Sequence, residues 1–188
     1  RVTLNGVLAK KGNRVEEGDQ VVLDGQLISH QLKPVYLMFH KPPGITCTTD
    51  LSDPDNIIDF IGYPQRIFPI GRLDKPSTGL ILLTNDGDIV NEILRVEHGH
   101  EKEYIVKVHQ EITREFIQKM EQGVPILGTV TEPCRVRKIN SKLFSITLTQ
   151  GLNRQIRRMC EYLDYRVVSL KRIRIMHLEL GDLPVGRW

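Results

Sequence analysis

Residues 79–85 read "GLILLTN", and the unbroken run Leu80–Leu83 constrains the fold more than any other stretch of the chain. A strand with one face in water alternates apolar and polar residues. Four apolar residues in succession, with Gly79 before and Thr84-Asn85 after, predict a strand buried on both faces. Such a strand lies inside a sheet with cover on either side. Partner strands are readable at "VYLMFH" (35–40), "RIFPIG" (66–71), "KEYIVKVH" (102–109), "CRVRKI" (134–139), "LFSITLTQ" (143–150) and "RVVSLKRIRIMHLEL" (166–180). Helices are fewer. "NIIDFIG" allows one or two turns, "DGDIVNEIL" places acids near an N-terminus, and "TREFIQKMEQG" has Thr113 at the N-cap and Gly123 as the stop. Many strands, few helices and no regular βαβ alternation predict α+β with a mixed, mainly antiparallel sheet flanked by helices.

Residues 1–29 form a separate reading. Asn5-Gly6 and Asp24-Gly25 are hairpin signals between short alternating stretches, and the piece is too short to bury a core alone. Residues 30–34 read as a linker, and 35–188 as the main domain. The chain opens at Arg1 without an initiator Met, so an upstream piece is expected to be missing from this numbering. No run approaches the roughly 18 apolar residues of a membrane span. Cys47, Cys134 and Cys160 are widely spaced, an odd count without C-x-x-C, which predicts reduced thiols in a cytoplasmic protein. No phosphate loop, dinucleotide fingerprint or serine-hydrolase elbow is present. His98 and His100 lack a third ligand at useful spacing, so a polar loop is favoured over a metal site.

The net charge of +3 conceals an asymmetry. Residues 134–174 hold eleven Lys/Arg against Glu161 and Asp164, a local charge of +9, leaving −6 elsewhere. That distribution is the footprint of a face that binds a polyanion. Within it, "NRQIRRMCEYL" (153–163) is a helix that separates its residues: Ile156, Met159, Cys160 and Leu163 fall in one stripe at about 100° per residue, and Arg154, Arg157 and Arg158 gather opposite. An ordinary solvated basic face explains the separation but not the use of arginine three times. Arginine's planar fork suits carboxylate and phosphate. Asp74, between Arg72 and Lys75 in "GRLDK", is either half of a surface ion pair or a carboxylate awaiting one of these arginines.

The motifs in order resemble the RNA pseudouridine synthases of the RsuA branch. "FPIGRLDKPSTGLILLTNDGD" is similar to their signature, a G-R-L-D followed by Ser/Thr, Gly and an apolar run. "HKPPGITCT" is similar to their N-K-P-x-G motif with His40 in the Asn position, which receives no role. "KEYIVKV" and "GLNRQIRRM" resemble the segments with the active-site tyrosine and the basic partner of the aspartate. "GVPILGTVT" and "GLNRQIRRMC" are most like a synthase of the large ribosomal subunit, and residues 2–29 like the C-terminal half of an S4 RNA-binding domain. The resemblance implies a central RNA-binding cleft with Asp74 as catalytic aspartate, Tyr104 packing on the base and Arg157 pairing with Asp74. It implies that Arg72 holds the place of the flipped nucleotide, with Ile156 and Leu80 as apolar neighbours of the base. Lys10, Lys11, Arg14, Lys41, Lys75, Arg154 and Arg158 are the further RNA contacts it leads one to expect. The expected partner is a ribosomal RNA stem-loop, most readily 23S, with a tRNA or a chaperone role in ribosome assembly as alternatives; a monomer is expected. The isomerisation loses no atom and changes no oxidation state, so neither cofactor nor metal is expected.

Overall fold

Strand β7 (Thr78–Thr84) is the element around which residues 34–188 are arranged, and it is buried on both faces as its sequence requires. The computed structural model describes all residues except 17, 29–32 and 95–98, with backbone alone at Asn91, Glu92 and Leu94. Residues 30–32 of the expected linker and His98 therefore lie outside the described residues. The chain divides into two units, Arg1–Lys33 and Pro34–Trp188.

The first unit is a four-stranded antiparallel sheet of β1 (Val2–Leu4), β2 (Val7–Leu8), β3 (Val21–Leu23) and β4 (Gln26–Leu27), in the order β2-β1-β3-β4. Its two hairpins turn at Asn5-Gly6 (φ 50° and 81°) and Asp24-Gly25 (φ 47° and 84°). Two successive positive φ values twist a two-residue loop in the sense that antiparallel strands need, which is why these dipeptides stand there. Lys10, Lys11 and Arg14 are exposed on this unit.

The second unit runs β5 (Tyr36–Lys41), α1 (Ile57–Ile61), β6 (Phe68–Ile70), β7, α2 (Gly87–Leu94), β8 (Lys102–Val108), α3 (Arg114–Gln122), β9 (Pro125–Ile126), β10 (Thr129–Val130), β11 (Arg135–Asn140), β12 (Leu143–Leu148), α4 (Gln155–Tyr162), β13 (Val167–Ile175) and β14 (Leu178–Glu179). Its main sheet has the order β11-β12-β8-β13-β7-β5, with β14 against β13 and β6 against β7. Every pairing in it is antiparallel except β13 with β7. The expected mixed, mainly antiparallel α+β architecture is the one observed.

Register explains the apolar run. Ile81 and Leu83 pair with Phe39 and Leu37, and that face packs on Ile57 of α1, Ile67 and Leu73. Leu80 and Leu82 point the other way, into a cluster with Ile70, Ile175 and Leu180 against α2. A third cluster lies on the far half of the sheet. There Val106, Phe144, Ile146 and Leu170 meet Phe116 and Met120 of α3 and Ile156, Met159 and Cys160 of α4. Thr113 caps α3, its Oγ1 accepting from the Phe116 N–H at 3.0 Å. Each large apolar side chain fully removed from water contributes about 1.5–3 kcal/mol, so these clusters, not helix propensity, hold the helices in place.

Gly79 is the tightest point between the halves. It has φ 113°, and a Cβ there would lie 2.2 Å from the Arg172 carbonyl oxygen and 2.5 Å from the Arg172 nitrogen. Gly79→Ala must force β7 and β13 apart or strain both, and should destabilise the protein by about 3 kcal/mol or more. Gly87→Ala, where nothing lies within 4 Å, should be neutral or slightly stabilising. Urea denaturation of the two variants checks the contrast.

Candidate active site

The segment 71–77 between β6 and β7 carries Asp74, and backbone contacts hold it. The Ser77 N–H donates to the Asp74 carbonyl at 2.9 Å and closes a turn. The Lys75 carbonyl accepts from the Gly44 N–H at 2.7 Å. The Leu73 N–H points at Cys47 Sγ, 3.3 Å away, and the Leu73 side chain is buried beneath. The Lys41 ammonium donates to the carbonyls of Pro42 and Ile45 at 2.8 Å and of Lys75 at 3.3 Å. The Thr78 hydroxyl donates to the Lys41 carbonyl at 2.7 Å. One lysine thus ties the "KPPGI" loop to the loop bearing Asp74.

This overturns the expected RNA contact at Lys41. The residue is 0% exposed, and its charge is stabilised by carbonyls from two loops that sequence separates by some thirty residues. Burial pushes its ammonium below the ordinary lysine range, while Asp74 nearby acts the other way.

Arg157 enters from α4, facing Asp74. Its Nε lies 3.4 Å from Asp74 Oδ2, with the two side chains 10% and 30% exposed. Its Nη2 donates to Ser77 Oγ at 2.9 Å. The Nε–H is not aimed for a hydrogen bond to the carboxylate, so the contact is an ion pair fixed by the serine. The arginine face predicted for this helix does not exist as such. Arg157 is buried, Arg154 is the exposed residue before the helix with φ 51°, and Arg158 folds back on Asn153 O at 3.0 Å. A helical wheel sends charges outward by default; here a carboxylate and a serine from another element draw one inward.

Asp74 and Arg157 lie in the wall of a cleft of about 730 Å³, within the roughly 300–1,000 Å³ range of ligand sites. Tyr104 on β8 contributes its half-buried ring, and Ile156 its side chain. Arg72, Lys75 and Arg154 are exposed along the cleft, although Lys75 is also paired with Asp55 at 2.7 Å. Such an exposed pair is screened by water and yields readily to a competing anion. Leu80, expected beside the base, is 0% exposed in the cluster with Ile70 and Ile175, and is corrected to a core residue. The run that betrayed a doubly buried strand could not say which of its leucines faced which side.

Two cleft residues escaped the sequence reading. Lys102 donates to the carbonyls of His100 and Thr149 at 3.1 and 3.2 Å, and burial, with a smaller push from Arg172, lowers its ammonium below the ordinary lysine range. Arg172, 4% exposed, lies under Tyr104 with its guanidinium carbon 6.0 Å from the ring centroid. Both sit in basic, alternating strands where neither stands out.

The family model for RNA pseudouridylate synthase matches residues 35–162. The dual-specificity RNA pseudouridine synthase RluF of Escherichia coli (strain K12) is 53% identical over 189 residues, covering 100% of this chain and 65% of that protein. The chain therefore spans about two thirds of that relative's length. The ribosomal large subunit pseudouridine synthase B of Bacillus subtilis (strain 168) is 34% identical over 99% of this chain and 80% of that one. A crystal structure of a pseudouridylate synthase, 28% identical, superimposes with a TM-score of 0.78 over 99% of this chain and 83% of that one.

Two outcomes test the site's construction. Lys41→Met keeps the buried stem but strips three carbonyls of their donor, and should cost about 2–4 kcal/mol in urea denaturation. The thiols should be inert: burial raises Cys47, and takes Cys134 to about 11 and Cys160 to about 12. At pH 8 about a thousandth or less of the Cys134 population is thiolate. Disulfide-exchange reagents should thus modify buried Cys47 and Cys160 only as the protein unfolds and half-buried Cys134 slowly, and rapid native labelling of Cys47 or Cys160 would contradict the geometry.

Proposed function

This chain belongs to the RNA pseudouridylate synthase family, and from that premise we propose that it isomerises uridine to pseudouridine in a structured RNA, with Asp74 as the acting carboxylate. The observation that carries the proposal is the ion pair of Asp74 with Arg157 in the wall of a cleft that Tyr104 also lines.

The reaction breaks the N1–C1′ bond of uridine, turns the base, and joins C5 to C1′; the proton leaves C5 and N1 gains one. A base cannot turn while stacked, so it is extruded at a cost of a few kcal/mol. The Tyr104 ring returns about 1–3 kcal/mol by stacking on it. Asp74 acts on the ribose, as nucleophile or as base, and must be ionised to do either. Arg157 faces its carboxylate at 3.4 Å as the counter-charge, and Ser77 keeps the guanidinium in place. Ile156 supplies an apolar contact.

RNA is the fitting substrate on charge. Arg72, Lys75 and Arg154 are the exposed cations that meet phosphates along the cleft, Lys102, Arg157 and Arg172 add positive charge from within its wall, and Asp74 is its acid among the described residues. Phosphate contacts of this kind give salt-dependent, sequence-blind affinity, and folded loops give selectivity. The name of the 34% identical relative supports large-subunit ribosomal RNA as the substrate, for which a stem-loop is the proposed form, and the dual specificity named for the 53% identical one supports a second RNA class, with tRNA as the candidate. Residues 1–29 serve as an S4-like RNA-binding element with Lys10, Lys11 and Arg14 on phosphates, followed by a linker at 30–34 and the catalytic domain at 35–188. The protein acts as a monomer in the cytoplasm.

Asp74→Asn keeps the shape and removes the charge. Pseudouridine formation on ribosomal RNA should fall by about a thousandfold or more, with the RNA dissociation constant at fixed salt within about threefold of wild type. Normal turnover by the Asp74→Asn enzyme would refute the assignment. Pseudouridine mapping of total RNA, with and without the protein, identifies the uridine and separates ribosomal from transfer RNA.

A further inference from the structure

Arg172 makes contacts that none of the reaction's steps uses. It lies on β13 opposite Tyr104 in register on one side and opposite Gly79 on the other. Its Nε donates to the Leu80 carbonyl at 2.7 Å, and its Nη1 reaches the Arg72 carbonyl at 3.4 Å. Its guanidinium is within reach of the Tyr104 ring, 6.0 Å from carbon to centroid. One side chain therefore touches the strand after the aspartate loop, the loop itself two residues before Asp74, and the aromatic ring.

We propose that Arg172 is a positioning residue that fixes the plane of Tyr104 relative to Asp74. The proposal deepens the reading of the cleft as a pseudouridine synthase site and rests on it for its catalytic consequence. Three features favour positioning over simple packing. An arginine at 4% exposure is rare without a carboxylate partner, and its hydrogen-bond partners here are backbone carbonyls. Its Nη2 has no acceptor among the described residues, an unsatisfied donor that packing alone does not justify. Finally, a guanidinium matches a ring face and two divergent carbonyls at once because it is planar and its donors are fixed. A lysine reaches one of these contacts at a time.

The test is Arg172→Lys in protein labelled with 3-fluorotyrosine. The chain has five tyrosines, and the fluorine resonance of Tyr104 is assigned by its loss in Tyr104→Phe. The Tyr104 resonance should shift or broaden while the other four stay in place. The single-turnover rate of pseudouridine formation should fall about 100-fold, the cost of misplacing reacting groups by about an ångström. The RNA dissociation constant should stay within about threefold. An unmoved Tyr104 resonance overturns the proposal, and five moved resonances overturn it by making Arg172 a general fold residue. A weakened dissociation constant at an intact rate overturns it by making Arg172 an RNA contact. Should wild-type protein form no pseudouridine, the functional reading falls, while the fluorine spectrum still decides the positioning. If Arg172→Lys does not fold, Tyr104→Leu in 15N-labelled protein gives the reverse measurement: the Arg172 Nε proton should lose its ring-current shift, and an unchanged shift refutes the contact.

Discussion

The parallel contact of β7 with β13, where the Arg172 backbone passes Gly79 at a distance that excludes a Cβ, is the constraint on which the rest depends. It joins two antiparallel systems. One is β5, β6 and β7 with the clusters around Phe39 and Leu82; the other is β11, β12, β8, β13 and β14 with the cluster under α3 and α4. Parallel neighbours need a long crossover. Here the crossover is everything from α2 to α4, so the chain returns to the seam carrying Tyr104 and Arg157 with it. Asp74 comes from the first system, Tyr104 and Arg157 from the second. The cleft is a consequence of joining them at one point that admits only glycine.

Because the site straddles a seam, its parts were legible in the sequence to unequal degrees. β7 announced its double burial, and the stripe of Ile156, Met159 and Cys160 announced the buried face of α4. What could not be read were the cases in which a charged residue defies its default. Lysine and arginine are rarely buried, so Lys41 in "KPPG" and Arg157 in "RQIRR" both read as surface. Each is inside because folding brings acceptors around it: the carbonyls of its own loop and the distant Lys75 carbonyl for Lys41, Ser77 beside the Asp74 carboxylate for Arg157. Arg172 was hidden differently, in a strand where basic and apolar residues alternate and nothing marks the one that turns inward. The motif resemblance recovered Arg157 but gave Leu80 to the base, since period-two reasoning fails where both faces are apolar.

The choice of acceptors has an electrostatic logic. Away from the cleft, several cations meet carboxylates: Arg135 with Glu101, Arg174 with Glu101 and Glu103, Lys119 with Glu115. In and behind the cleft three cations meet carbonyls instead, Lys41 with Pro42, Ile45 and Lys75, Lys102 with His100 and Thr149, Arg172 with Leu80 and Arg72, while exposed Lys75 pairs with Asp55 and Arg157 with Asp74. A carboxylate would fix a cation equally well but would cancel its field. A carbonyl fixes it by a dipole and leaves the net positive charge in place.

That arrangement resolves two demands that otherwise conflict. A polyanion is drawn in by uncancelled positive charge, whereas a reacting group needs rigid surroundings. Side-chain ion pairs inside the cleft would supply rigidity at the expense of the field, and loose surface lysines would supply the field without rigidity. Carbonyl-bound cations supply both. They also leave Asp74, facing Arg157, as the acid among the described residues lining the cleft. The carboxylate is thereby marked out by its surroundings before any substrate arrives. Burial lowers both Lys41 and Lys102 below the ordinary lysine range, and Arg172 adds to the effect on Lys102, so the cleft holds its positive charge at a cost. An anion entering the cleft offsets that cost, so part of the free energy spent on assembling the cleft is returned on binding.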